Sequence, residues 1–193
     1  RSFVDAGFSG PVYTALGTKD LYRRSDGSPF DRNAFHKDPS GHYAEFLPYA
    51  RTAAIYMACH FWDPRGPKIL DAAGLRDTEL GIEVIADISC DIGGPIDSTL
   101  RASTIAEPFY GYEPVSGAEV KAGTEGSITV MAVDNLPCEL PRDASEAFGL
   151  DLMERVLPDL VNGDESGMIQ RATIASKGSL TEPFAHLAGY ANA

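Results

Sequence analysis

Three short apolar runs, each ending in a polar loop, constrain this chain more than any other feature. They are residues 55–62 (IYMACHFW), 82–88 (IEVIADI) and 127–133 (SITVMAV). Nearly continuous apolar runs of about four to eight residues suit strands buried on both faces, as in parallel sheets. Helix-compatible stretches lie between and after them. One covers 69–75. A longer one starts near Arg142 and places Phe148, Leu152, Met153, Val156, Leu157 and Leu160 on one helical face. Pro141 stands where that helix would begin and Gly163 where it would end. Residues 166–176 and 181–190 read as two further short helices. Upstream, 11–16 is a short, partly β-branched element, 18–41 a long polar loop with little regular structure, and 43–54 a short helix broken near Pro48. Strands alternating with helices indicate an α/β domain with a mostly parallel sheet.

In such sheets ligands bind beyond the carboxyl ends of the strands. All three runs end in residues able to do chemistry: His60-Phe61-Trp62-Asp63, Ser89-Cys90-Asp91 and Asp134-Asn135-Leu136. The loop from Asp87 to Gly94 (DISCDIGG) is the richest. Its Asp and Ser residues suit a polar substrate or a ribose, and its paired glycines allow close backbone approach to a ligand. By pattern alone it is either a ligand loop or a plain turn. The helix start near Arg142 is either an anion site or a connector in which Arg142 pairs with Asp143 or Glu146.

Other chemistries fit less well. Cys59 and His60 are adjacent in a strand and so point to opposite faces, which excludes a nucleophile–base pair between them. Cys90 has an acidic neighbour rather than a cation to activate it. His36 and His42 lie on the polar loop without a recognisable metal-ligand spacing, and His186 reads as a partly buried helix residue. No metal site is expected. The three cysteines form neither a disulfide framework nor a zinc spacing, and a reducing, cytoplasmic setting is expected. The net charge is −12. Residues 1–60 hold seven Lys/Arg against six Asp/Glu, and 61–193 hold nine against twenty-two. That balance argues against nucleic acid and anionic membranes. No run reaches the roughly 18 apolar residues of a membrane span. There is neither a G-x-G-x-x-G nor a G-x-x-x-x-G-K-[ST] turn. The chain begins with Arg1, which reads as a processed or excised start.

Several motifs in register carry a family resemblance. Val84–Gly94 (VIADISCDIGG), Ser103–Phe109 (STIAEPF) and Val133–Gly149 (VDNLPCELPRDASEAFG) resemble the saccharopine dehydrogenase and lysine-ketoglutarate reductase family, within the wider alanine dehydrogenase and transhydrogenase group. Residues 55–67 look like that family's preceding strand, and 178–187 (GSLTEPFAHL) like its tail. The alanine branch typically has Asn-Met-Pro where this chain has Asn135-Leu136-Pro137, which favours the saccharopine side.

The resemblance implies the C-terminal part of a two-domain oxidoreductase. Its fold is part of a Rossmann-like parallel sheet plus C-terminal helices that return to a second domain. Residues 1–140 would be the second half of the dinucleotide-binding domain, and 141–193 the returning helical segment. The phosphate-gripping turn and the proton-transferring Lys and His would lie in a missing N-terminal part of the same enzyme. Phe61, Ile88, Val133, Asp134, Asn135 and Leu136 would bind NAD, with NADP as the alternative. Ser89, Cys90 and Asp91 would face the amino-acid substrate, and Asp91 would be catalytic. The reaction implied is oxidation of the secondary amine of saccharopine, linking lysine and 2-oxoglutarate. The alternatives are alanine dehydrogenase-like activity and a non-catalytic binding or assembly module of the same fold. Half a parallel sheet would expose an apolar strand edge, so the isolated chain is expected to be poorly soluble.

Overall fold

The computed structural model describes residues 10–191, which form two compact units dividing between Leu136 and Pro137. Residues 1–9 and 192–193 of the two expected domains lie outside the described residues.

Among the described residues the first unit has a short helix α1 (Thr18–Leu21), a strand β1 (Tyr22–Arg24), helix α2 (Arg32–Lys37) and strand β2 (His42–Ala44). β1 and β2 pair antiparallel, Tyr22 opposite Ala44 and Arg24 opposite His42. The polar stretch 18–41 is therefore structured, contrary to the sequence reading. Two contributions explain it. Asp31 caps α2 by accepting from Ala34 N at 2.8 Å. Widely spaced aromatics then cluster: the Phe35 ring lies 4.7 Å from Tyr22, 5.5 Å from Phe30 and 4.9 Å from His42. No local periodicity announces such a cluster. Helix α3 (Leu47–Ala50) follows, with Pro48 in its first turn, so the predicted 43–54 helix is a strand plus one helical turn.

Among the described residues the main sheet has five strands in the order β3-β4-β7-β5-β6. β3 (Ile55–Ala58), β4 (Val84–Asp87) and β7 (Ile128–Met131) are the three predicted apolar runs, shortened, and they are mutually parallel. β5 (Phe109–Glu113) and β6 (Ala118–Val120) form a hairpin that adds two antiparallel strands beside β7. The sheet is thus mixed rather than wholly parallel. Helix α4 (Ala72–Leu75), capped by Asp71, lies in the β3–β4 crossover.

One sheet face is the core. Tyr56, Ile85, Val130 and Tyr110 are cross-strand neighbours along a row, and they pack with Leu70, Leu75 and Ile96 from the connecting segments. Ile85 and Val130 are fully buried. The other face carries Ile55, Met57 and Phe109, which are 61%, 66% and 54% exposed. Burial of the parallel strands on both faces is therefore not observed. The crossover residues join the cluster on the Tyr56 face, which leaves the opposite face without a cover among the described residues of this unit.

The second unit begins with a single 3-10 turn (Leu136–Glu139) at the boundary and continues into α5 (Pro141–Asp151). Residues Leu152–Val156 form a π-helical stretch, and α6 (Leu157–Asn162) ends at Gly163, whose φ of 90° supplies the left-handed stop. The predicted start and stop residues hold. The wider turn coincides with Pro158, whose missing N–H prevents the regular bond. α7 (Met168–Ala172), a two-residue hairpin (Ala175–Ser176 with Ser179–Leu180), a 3-10 stretch (Glu182–Leu187) and α8 (Ala188–Ala191) complete it. Phe148, Met153 and Leu160 stay more than half exposed, so much of the apolar stripe is uncovered among the described residues of this unit.

Candidate functional site

Parallel pairing puts the carboxyl ends of β3, β4 and β7 on one edge, and hydrogen bonds tie the three following loops together. From the β4 loop, Ile88 N and Ser89 N donate to Ala58 O at 2.9 and 3.2 Å, and Ser89 Oγ donates to His60 O at 2.8 Å. Cys90 Sγ reaches Ala132 O at 3.1 Å, in the β7 loop. Ser103 then brackets Ala132: its N–H donates to Ala132 O and its Oγ accepts from Ala132 N, at 2.8 and 3.0 Å. Loops 59–63, 88–94 and 132–136, distant in sequence, thus form one surface.

Local sequence explains the shape of the β4 loop. Asp87, fully buried at the strand's last position, accepts from Cys90 N at 3.1 Å through one carboxylate oxygen and from Thr99 Oγ1 at 2.7 Å through the other. Cys90 adopts a φ of 51°, uncommon for a residue with a Cβ. The turn closes with Gly94 N donating to Asp91 O at 2.9 Å. A Cβ on Gly94 would sit 2.5 Å from Asp91 Cβ and 2.6 Å from Asp91 O, so the closure needs glycine.

Each expected site residue now has a place. Phe61 is 86% exposed beside the strand ends, and Ile88 is 39% exposed. Because the Ile88 N–H is committed to Ala58 O, a backbone contact to a ligand falls to its carbonyl. Ser89 and Cys90 spend their side-chain donors on His60 O and Ala132 O, leaving Ser89 as an acceptor only. Asp91 is exposed and heads the turn. Val133 is buried and bridges to Ser103, whereas Asp134 and Asn135 are exposed and Leu136 half-buried. The exposed polar groups on this edge are chiefly Asp91, Asp134 and Asn135.

The electrostatics are negative. Burial pushes the Cys90 thiol up, and Asp87, Asp134 and Asp91 push it further. The thiol is therefore held protonated rather than activated. Burial lowers the His60 pKa, with Asp87 and Asp91 opposing it. His60 Nε2 lies 3.0 Å from the Tyr56 hydroxyl, while its buried Nδ1 has no partner. Burial, followed by the Asp87 charge, raises the Tyr56 phenol. An edge carrying Asp87, Asp91 and Asp134 favours a cationic ligand, such as a protonated amine or an oxidised nicotinamide ring.

Other candidates fall away from this edge. His42 is buried against Phe30 and Phe35, not displayed on a loop. His186 is exposed rather than partly buried. No group of three His, Cys, Asp or Glu side chains among the described residues is arranged to hold a metal. An open cleft of about 820 Å³ lies among Lys19, Arg23, Phe30 and Arg32, none of them on the strand-end loops. Asp87, Thr99 and Ser103 organise the site; Asp87 lay in the loop singled out from the sequence but without an assigned role, and Thr99 and Ser103 were not expected there. Asp87 carried a signal, as an acid ending an apolar strand, whereas Thr99 and Ser103 carried none.

Comparison with known proteins decides the kinship. No family model matches the chain. It is 30% identical over 193 residues to alpha-aminoadipic semialdehyde synthase of Arabidopsis thaliana, covering 91% of this chain and 18% of that protein. It is 32% identical over 118 residues to saccharopine dehydrogenase (NAD(+), L-lysine-forming) of Candida albicans, covering 61% of this chain and 29% of that protein. The chain is thus similar, over much of its own length, to alpha-aminoadipic semialdehyde synthases and saccharopine dehydrogenases. The mitochondrial alpha-aminoadipic semialdehyde synthase of Rattus norvegicus is 28% identical, with 86% of this chain and 21% of that protein aligned. The chain thus spans about a fifth of the length of these two synthases. No helix among the described residues is long and apolar enough to cross a membrane.

Proposed function

We propose that this chain is the strand-end portion of a nicotinamide-dependent oxidoreductase acting on the CH–NH group of saccharopine. The observation that carries the reading is the joining of three parallel-strand loops into one acidic edge, with Asp91 and Asp134 facing solvent. Ligands of open α/β sheets bind at such an edge. The relatives' names supply the substrate class.

NAD, with NADP as the alternative, supplies the hydride acceptor when bound; the residues here position it. Phe61 flanks the dinucleotide, and the Ile88 carbonyl contacts it. Val133 shapes the floor from its buried position, and Asp134, Asn135 and Leu136 hold the nicotinamide-ribose end. Ser89 and Cys90 hold the wall against which the amino acid lies. Asp91 matches the charge of the substrate amine and keeps its C–H aligned for transfer, a gain of orientation rather than of new chemistry. Oxidation leaves an imine whose hydrolysis releases lysine and 2-oxoglutarate; the reverse is reductive condensation. The phosphate turn and the proton-transferring groups belong to an N-terminal part of the same enzyme, which is the expected partner of this chain.

The test is a spectrophotometric assay of the longest native polypeptide that contains this chain, with saccharopine and NAD, and separately with alanine and NAD. Saccharopine-dependent reduction of the cofactor is expected. Alanine-dependent reduction alone would move the substrate to the alanine branch. Silence with both, in a folded protein, would replace the oxidoreductase with a non-catalytic module. Asp91→Ala is expected to lower turnover by about 100-fold or more without unfolding the protein, because Asp91 is exposed.

A further inference from the structure

The residue that sets this edge is not one of those facing a ligand. Asp87 has 0% exposure, yet it ends the central parallel strand as a carboxylate. A buried carboxylate is costly unless its oxygens are satisfied. Both are, but by a backbone N–H and a hydroxyl: Cys90 N at 3.1 Å and Thr99 Oγ1 at 2.7 Å. The first bond closes a tight turn onto Cys90, the residue with φ of 51°. Left-handed backbone at a residue with a Cβ is strained and persists only where its surroundings fix it. Three further ties fix it here: Ser89 Oγ to His60 O, Cys90 Sγ to Ala132 O, and Gly94 N to Asp91 O. Asp91 leaves this turn directly. Thr99 arrives from twelve positions downstream and is itself 2% exposed, so it fixes the second carboxylate oxygen and with it the carboxylate plane.

We propose that Asp87, held by Thr99, is the positioning residue that locks the Ser89–Cys90–Asp91 turn and thereby presents Asp91 at the strand ends. Its effect on turnover rests on the oxidoreductase reading above; its effect on the turn does not. Asn is nearly isosteric, keeps an oxygen for Cys90 N and offers Thr99 an N–H, so it should preserve the turn while deleting the charge. Ala deletes both.

The experiment uses the longest native polypeptide in a Cys59→Ser, Cys138→Ser background, since both of those thiols are exposed. It follows alkylation of Cys90 by iodoacetamide across pH, alongside steady-state kinetics. Asp87→Ala should raise the high-pH plateau of Cys90 alkylation by about tenfold, because the half-buried sulfur becomes accessible once the turn opens. Asp87→Asn should keep that plateau and shift the profile to lower pH, since a neighbouring negative charge is gone. Thr99→Val, which keeps side-chain volume, should give an intermediate plateau and serves if Asp87→Ala fails to fold. In turnover, Asp87→Ala should lower kcat by about 30-fold or more with the cofactor KM within about threefold, and Asn should recover most of it. Unchanged alkylation plateaus in both Asp87→Ala and Thr99→Val would overturn the proposal. Wild-type protein silent with saccharopine but showing the expected alkylation changes would remove the oxidoreductase reading and leave the positioning role standing.

Discussion

Replacing Tyr110 with Phe tests how the segment behind the candidate site is held. Tyr110 is 2% exposed, and its hydroxyl donates to Ser98 O at 2.9 Å while accepting from Leu100 N at 3.0 Å. Phe keeps the ring, so the apolar burial on the core face is unchanged and the loss is confined to those two bonds. A buried carbonyl left without a donor costs about 1–3 kcal/mol, and a partly exposed N–H adds about 0.5–1 kcal/mol, so roughly 2–3 kcal/mol is expected in all. Hydrogen exchange with mass-spectrometric readout separates this from effects elsewhere. Peptides within 98–112 should lose about 30- to 150-fold in protection. Peptides from α5 and α6, in the other unit, should not change. Because Thr99 sits between the two backbone groups that Tyr110 holds, the 87–94 loop should exchange faster as well. A change below about threefold in 98–112 would refute the assignment of these bonds as structural.

Burial raises the pKa of Tyr22, Tyr56, Tyr110 and Tyr112. Above the unfolded value near 10 the unfolded chain then holds fewer protons than the folded one, so stability falls as pH rises. Denaturation midpoints should decline steadily above about pH 10, where the tyrosines ionise in the unfolded chain; a flat profile throughout would contradict the burial of these phenols. Ile85→Ala, at a fully buried position in the central strand, should destabilise the first unit by about 2–5 kcal/mol in equilibrium unfolding, and a loss below about 1 kcal/mol would mean the site is not core. Gly94→Ala cannot keep its contacts with Asp91. It should open the Asp91–Gly94 turn, costing about 1–3 kcal/mol and, under the proposed function, lowering turnover of the longest native polypeptide by about tenfold, whereas full activity would show that the turn is not needed.

The legible part of the fold was the part governed by local pattern. Runs 55–62, 82–88 and 127–133 became β3, β4 and β7 because four consecutive residues suited to a buried strand announce themselves wherever they are placed. Pro141 and Gly163 marked a helix because one lacks an N–H and the other tolerates positive φ. The loops rich in Asp, Asn and Ser at the strand ends were legible for the same reason.

What the tertiary structure decided was every feature that joins distant residues. The β5–β6 hairpin, with Gly111 in its first strand and the Glu113–Ala118 turn between, shows little alternation, and only its pairing with β7 makes it sheet. The 18–44 segment is ordered by Tyr22, Phe30, Phe35 and His42 meeting across a chain that looks polar throughout. In the candidate site, the sequence supplied Ser89, Cys90 and Asp91, but not the facts that the first two spend their donors on other loops and that Asp91 stays exposed. Those depend on Thr99, His60 and Ala132 arriving from 12, 29 and 42 positions away. A hydrogen bond needs its partners within about 3 Å, and that proximity is a property of the folded chain, not of its order.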